Sequence, residues 1–355
     1  MAEELERLGV SCYIVPQAWM IFARANRLVL TVNCLLNAGP VRRLCEIIAR
    51  ENIDVVYSNS AVIFGGGVAA RLTGRAHVWH LHELVGSNPR FTFGFGLKIL
   101  KACLRTLSDQ IVVVSSAVAA DLGLTELADE VAVVPNGLPP GAWEEPELGD
   151  LQALRTELGL PAGRRVLLFL ANLGPGKRPE RAIAALAALG RTDIQLLMVG
   201  NPGRRKYMRN LQSLAEGLGV SEQVTFAGYR ADVRRILALA DVSLVPNEIE
   251  AWGLATAEAM AAGVPVVAGN NLDLIEDGRT GFLVEPGNAA AMAEKVALLL
   301  DDAGLRQRMG EAARESTRQY TVARQLAGVA AALDRAAAAP VRRWTLFQLL
   351  RQIVR

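Results

Sequence analysis

Two glutamates, Glu250 and Glu258, stand eight positions apart in the stretch PNEIEAWGLATAEAM (246–260), with Gly253 between them. The first lies in a loop and the second in an alanine-rich segment that predicts a helix. The apolar run 241–246 ahead of them predicts a buried strand. A strand, a glycine-bearing loop and a helix N-terminus together present backbone N–H groups to an anion, most often a phosphate. Carboxylates flanking such a site repel phosphate but accept hydrogen bonds from hydroxyls, two at a time. Phosphate between two sets of hydroxyls describes a nucleotide sugar.

A second anion site is expected at 170–181, LANLGPGKRPER, between a strand and a helix. It nearly matches a P-loop, but Ala171 replaces the first glycine and Arg178 the Ser/Thr whose hydroxyl would hold magnesium, which excludes nucleotide-triphosphate hydrolysis. What remains is a glycine turn that brings Lys177 beside a helix N-terminus, where it can neutralise a leaving diphosphate. The alternative is a surface lysine in a strand–helix loop. The run Gly65-Gly66-Gly67-Val-Ala-Ala70 satisfies G-x-G-x-x-A, but no acidic residue follows about 20 positions on, so close helix packing is its expected use.

All three histidines fall in HVWHLHE, 77–83. On a strand His80 and His82 face one way and His77 the other, so no three-ligand face forms and no metal is expected. His82 and Glu83 end that strand, at the ligand-facing edge of an open α/β sheet. One of them is expected to touch substrate, with a hydrogen-bonded structural histidine as the alternative. Gly228, Tyr229 and Arg230 follow another strand, in a turn suited to a nucleobase.

The elements that position these residues alternate short apolar runs with helical patterns, the mark of parallel sheets with helices on both faces. Strands are predicted at 11–15, 54–58, 76–80, 110–114, 131–134, 165–170, 195–199, 223–226, 241–246 and 265–268. At 355 residues two domains are expected. The linker PNGLPPG (135–141), followed by the acidic EEPELGD, puts the boundary near 137–160. The divisions are 1–145, 146–320, and a C-terminal 321–355 of crossover helix and extension. The 38 basic and 36 acidic residues, net +2, argue against a dedicated nucleic-acid binder. Cys12, Cys34, Cys45 and Cys103 form no close pair, which fits a reduced, cytoplasmic setting. No run reaches the roughly 18–20 apolar residues of a membrane span, and the opening MAEELERLGV reads as a charged helix rather than a signal peptide. The tail VRRWTLFQLLRQIVR (341–355) places Leu346, Phe347, Leu349, Leu350, Ile353 and Val354 on one side of a basic helix. It either packs on its own domain or adheres to an anionic membrane surface.

Together these motifs resemble the GT-B glycosyltransferases of family 4, over about residues 1–335. The landmarks in order are AEELERLGV, IDVVYSNS, HLHEL, IVVVSSAVAADL, VVPNGL, GPGKRPERAIAAL, MVGNPG, FAGYRADVRRILALADVSLVPN, E-AWGLATA-E-AMAAGVPVVA and IEDGRTGFLVEPGN. The resemblance implies two Rossmann-like domains facing across a cleft. It also implies sugar transfer from a nucleotide donor with retention and without bound metal or other cofactor. Glu250 would hold hydroxyls of the transferred sugar, the amides around Trp252, Gly253 and Leu254 the donor phosphate, and Glu258 the ribose. Lys177 would stabilise the departing diphosphate, His82 would touch the sugar from the opposite domain, and a helix from about 320 to 335 would cross back to the first domain.

Three departures accompany it. The family's opening strand and glycine-rich loop are absent, Met1 corresponding to a point inside the first helix. Asn172 stands near where family members often carry an arginine that pairs with the lysine, leaving Arg178 or Arg181 to supply that charge. The segment 269–273, GNNLD, is shorter than the usual Gly-Gly-x-Pro-Glu. The expectation is a retaining hexosyltransferase of cell-envelope polysaccharide assembly. Its acceptor would be a glycan or lipid-linked sugar, and it would work in the cytoplasm or at the inner membrane face. A silent GT-B module that binds a sugar nucleotide or a protein partner, and a sugar-nucleotide epimerase, are the alternatives.

Overall fold

The computed structural model describes residues 2–21, 26–88, 91, 93–126, 130–144, 151–270, 273–345, 348 and 351. The chain divides into two compact units, Met1–Val134 with Leu326–Arg355, and Pro135–Gln325. The acidic run 145–150 and the whole predicted apolar face of the tail (Leu346, Phe347, Leu349, Leu350, Ile353 and Val354) lie outside the described residues. Among the described residues no helix is long and apolar enough to cross a membrane.

In the first unit β1 (Val55–Ser58), β2 (Ala76–Leu81), β3 (Gln110–Val113) and β4 (Val131–Val133) form a parallel sheet in that order. β2 and β3 are buried almost throughout, as strands covered on both faces must be. The helix Val322–Ala338 lays Ala332 and Ala336 against Val78, Val112 and Val134, so the expected return of the chain to the first unit is observed. The glycine triplet opens the helix Gly65–Thr73 and serves packing: a Cβ on Gly66 would lie 2.5 Å from Ser58 Oγ, and one on Gly67 3.0 Å from the His77 ring.

The predicted strand at 11–15 does not form. Ile14 is 89% exposed, and the segment joins neither sheet. The consecutive Tyr13, Ile14 and Val15 give it strand propensity, but a strand exists only through a neighbour's hydrogen bonds, and β1 pairs with β2 alone. The other predicted strands form with ends within two residues of expectation.

The second unit holds β5 (Arg165–Leu170), β6 (Ile194–Val199), β7 (Val224–Gly228), β8 (Val242–Val245), β9 (Val266–Ala268) and β10 (Phe282–Leu283), the last too short to stand out as a run. They form one parallel sheet in the order β10-β9-β8-β5-β6-β7. The chain builds outward from β5 through β6 to β7, then returns to β8 on the other side of β5 and builds outward again. β5 and β8 therefore flank the topological switch point, where loops diverge and leave a crevice at the carboxyl ends of the strands. The core beneath is apolar, with Leu167, Phe169, Ile183, Leu196, Met198, Leu244 and Val296 essentially inaccessible.

Candidate active site

The loops leaving β5 and β8 carry Lys177 and Glu250, and their side chains meet: Lys177 Nζ lies 2.7 Å from Glu250 Oε2. Asn247, 1% exposed, spends both amide hydrogens locally, on Ile249 O at 3.0 Å and Glu250 Oε2 at 2.9 Å. It thereby fixes the carboxylate from below while the lysine reaches it from the open side. Sequence reasoning assigned Asn247 no role, although a Pro-Asn pair at a strand's carboxyl end was the available signal. The lysine loop is braced by Leu173 N–H on Asn201 O at 2.8 Å and Lys177 N–H on Gly174 O at 3.0 Å. Gly200 lets β6 press on it: a Cβ there would come within 1.9 Å of Ala171 O, at φ +146°.

Arg178 follows the lysine at φ +53°, a left-handed conformation uncommon for arginine, and turns the chain into the helix Pro179–Leu189 with proline at its first position. Its guanidinium lies 3.5 Å from Glu248 and 3.7 Å from Glu180. Arg181 bonds Glu248 closely and reaches Pro246 O at 3.3 Å. The Arg181 bond holds the Glu248 carboxyl below the usual range. Of the two arginines suggested by sequence, Arg181 is therefore engaged by its neighbours, whereas Arg178 makes only long contacts. Asn172 accepts from Asn201 Nδ2 at 3.1 Å.

Gly253, at φ +88°, caps the helix Leu254–Ala261, whose first-turn amides, beginning at Leu254, point out of the helix end as α-helical geometry requires. Trp252 is 4% exposed, its ring edge-on to Tyr320 at 4.7 Å. Glu258 lies one turn into this helix, half-buried, and burial pushes its carboxyl up. Gly228 ends β7 at φ +70° with Tyr229 69% exposed beside it. These residues stand two strands along the sheet edge from β5. Arg230 turns back onto Asp232, at 2.8 and 2.7 Å, and onto Glu157. The structure thus gathers Lys177, Glu250, Arg178 and the Gly253–Leu254 turn around the switch point and leaves Gly228, Tyr229 and Arg230 farther along the edge.

In the first unit the histidines separate as the strand alternation predicts. His77 is sealed between Leu107 O and Ser58 Oγ, each at 2.9 Å, and burial pulls it down to about 4. His80 and His82 lie on the other side, with ring centroids 4.1 Å apart. His82 Nε2 meets Asn59 Oδ1 at 2.7 Å, and burial lowers its basicity against the opposing pull of Glu83. Glu83 is occupied: its carboxylate accepts from Ser60 Oγ at 2.8 Å and from the amides of Ala61 and His82 at 3.1 Å. Of the pair singled out by sequence, Glu83 organises the loop and His82 keeps a ring nitrogen for other work.

Residues 150–316 match the family model of glycosyl transferases group 1, and residues 1–141 that of glycosyltransferase family 4. The N-acetyl-alpha-D-glucosaminyl L-malate synthase of Bacillus anthracis is 28% identical over 289 residues, 77% of this chain and 72% of that protein. The D-inositol 3-phosphate glycosyltransferase of Nocardia farcinica is 35% identical over 193 residues, 51% of this chain and 42% of that protein. Among solved structures, Anabaena Alr3699/HepE in complex with UDP superposes with a TM-score of 0.79 at 22% identity, over 94% of this chain and 88% of that one. Its complex with UDP and glucose gives 0.76 at 24% identity, over 84% and 81%. With each half of the chain matched by a glycosyltransferase family model and the two-sheet fold shared with HepE, the chain is a glycosyltransferase.

Proposed function

We propose that this glycosyltransferase moves a hexose from a nucleotide-diphosphate sugar to a hydroxyl of a glycan or lipid-linked acceptor, with retention and without metal or other cofactor. The Lys177–Glu250 pair at the switch point carries the reading. The lysine neutralises a carboxylate that has little water around it, the Glu250 side chain being 12% exposed. An incoming diphosphate offers Lys177 a stronger partner, and Glu250, released but still held by Asn247, turns to the sugar hydroxyls. The first-turn amides of the helix Leu254–Ala261 meet the phosphate, and Glu258 takes the ribose. Arg178 supplies the second positive charge that Asn172 lacks, and Gly228 and Tyr229 serve the nucleobase. The bond from the anomeric carbon to the phosphate oxygen breaks as the acceptor oxygen bonds to the same face. The acceptor's proton passes to the departing phosphate. His82 contributes a hydrogen bond to a substrate hydroxyl. The structures of HepE with UDP and with UDP-glucose support a uridine nucleotide as donor.

A panel of nucleotide sugars tested by thermal shift identifies the donor, since a ligand that binds the folded state raises the melting temperature. With the donor in hand, Glu250→Gln is expected to abolish transfer, the anomeric proton coupling of the product to report retention, and chelator to leave turnover unchanged. Undiminished turnover by Glu250→Gln overturns the assignment. Arg342 and Arg343, exposed in the tail, support a membrane-borne acceptor. Deleting 341–355 should then reduce sedimentation with anionic liposomes.

A further inference from the structure

Behind His82 lies a second layer that neither the family match nor the donor site accounts for. Tyr57, on the edge strand β1, hydrogen-bonds His80 Nδ1 through its hydroxyl, with the two rings edge-on at 5.9 Å. His80 is 1% exposed, and its ring lies against that of His82 at a tilt of 36°. His80 Nε2 is buried without a hydrogen-bond partner. That is a costly way to fill a core position, since an unmet buried polar atom costs about 1–3 kcal/mol and a phenyl ring would fill the same space without it. The nitrogen that is used, Nδ1, ties the ring to Tyr57, and the ring face is what His82 rests on. On its other side His82 meets Asn59, which sits in a loop pinned by Glu83 on Ser60 and Ala61 and by Trp79 Nε1 on Ser60 O at 2.7 Å. Asn59 Oδ1 only accepts, so His82 Nε2 carries the proton and Nδ1 is left as an acceptor.

We infer that Tyr57 and His80 form a positioning pair for His82, setting the plane in which His82 presents Nδ1 to a substrate hydroxyl. The inference rests on the reading of His82 as a substrate contact. A positioning role suits the observed burial, which holds His80 down to about 3 and so keeps it uncharged beside His82 at neutral pH. Tyr57 acts through His80 and His80 through ring contact, so both belong to geometry rather than to proton transfer.

The test is steady-state transfer by the full chain bearing Tyr57→Phe, His80→Phe, the double substitution or His82→Ala, with the donor KM, melting temperature and His82 imidazole carbon–proton resonances recorded for each. We expect kcat to fall about tenfold for His80→Phe and about three- to fivefold for Tyr57→Phe, with donor KM within about twofold, as small displacements of a substrate contact do. The His82 resonances move in both variants. In the His80→Phe background Tyr57→Phe has no further effect, because its route is gone. Unchanged kcat in His80→Phe overturns the inference, as does a Tyr57→Phe loss that persists undiminished in the double variant, which would make Tyr57 itself a substrate contact. Should His80→Phe fail to fold, Tyr57→Phe, which removes one oxygen, decides through kcat and the His82 resonances. An unaltered kcat in His82→Ala strikes instead at the assignment of His82, so the two failures are distinguishable.

Discussion

Arg71 with Asp109 in the first unit and Lys177 with Glu250 in the second are ion pairs of nearly equal length, 2.8 and 2.7 Å, in opposite surroundings. Arg71 and Asp109 have side chains 0% and 2% exposed, at the amino ends of β2 and β3. Every neighbour closes them in. Arg71 Nε donates to Thr106 O at 2.9 Å, Asp109 takes the His77 amide at 2.9 Å, and Trp344 covers the guanidinium at 5.8 Å while its amide bonds Arg71 O. Lys177 and Glu250 stand at the carboxyl ends of their strands, and the lysine keeps 39% of its side-chain surface. A charge pair sealed from both sides joins elements together. A pair with one reachable partner can be opened by a ligand, and that difference, rather than the distance, separates structure from site.

The comparison breaks most readily at the sealed pair. Arg71→Ala leaves Asp109 buried with only the longer ion pair to Arg342 Nε, at 3.9 Å, and should destabilise by up to about 3–5 kcal/mol, read as the shift in a urea unfolding curve. A loss below about 1 kcal/mol would mean that water reaches Asp109 and that the contrast is false. Next is Lys177→Ala, expected to cut transfer by about 10²–10³-fold while the urea midpoint barely moves, because in the proposed function the charge removed serves the departing diphosphate. Near-normal turnover in that variant would reduce Lys177 to a surface residue. The smallest effect sharpens the first unit's side of the contrast. Burial, opposed by the Leu107 carbonyl bond, holds His77 to about 4 against an ordinary 6.5. Between those values the unfolded chain binds a proton that the native state refuses. Stability is therefore complete above about pH 6.5 and falls as the pH drops toward 4, by on the order of 2–3 kcal/mol for this group. Urea midpoints at pH 7.5 and 5 should show the fall, and His77→Gln should flatten it. An equal slope in the variant would assign the acid sensitivity elsewhere.

Much of the candidate site is legible in residue types. The glycine turn before Lys177, the glutamates on either side of Gly253 and the histidine alternation along β2 each follow from local spacing, and each stands where that spacing predicts. What spacing cannot carry is competition for partners. Glu83 is as suitable a contact as His82 by type, but three donors from its neighbourhood consume it. Arg230 follows a strand end as a ligand residue does, but two carboxylates hold it. The run 11–15 has strand-forming residues and no strand beside it.

By itself the sequence determined the alternation of strand and helix, because apolar runs must be buried from both sides, and the kinds of chemistry at the strand ends, because glycine, lysine and carboxylate have the same capacities wherever they stand. Only the tertiary structure decided which strand ends are neighbours. β5 and β8 are separated in the chain by two strands and meet through parallel pairing of Leu167 with Val242 and Leu168 with Ser243.

 That adjacency follows from how the whole sheet packs, since no local run encodes the order of strands. It is what turns a lysine in one loop and a glutamate in another into a single site.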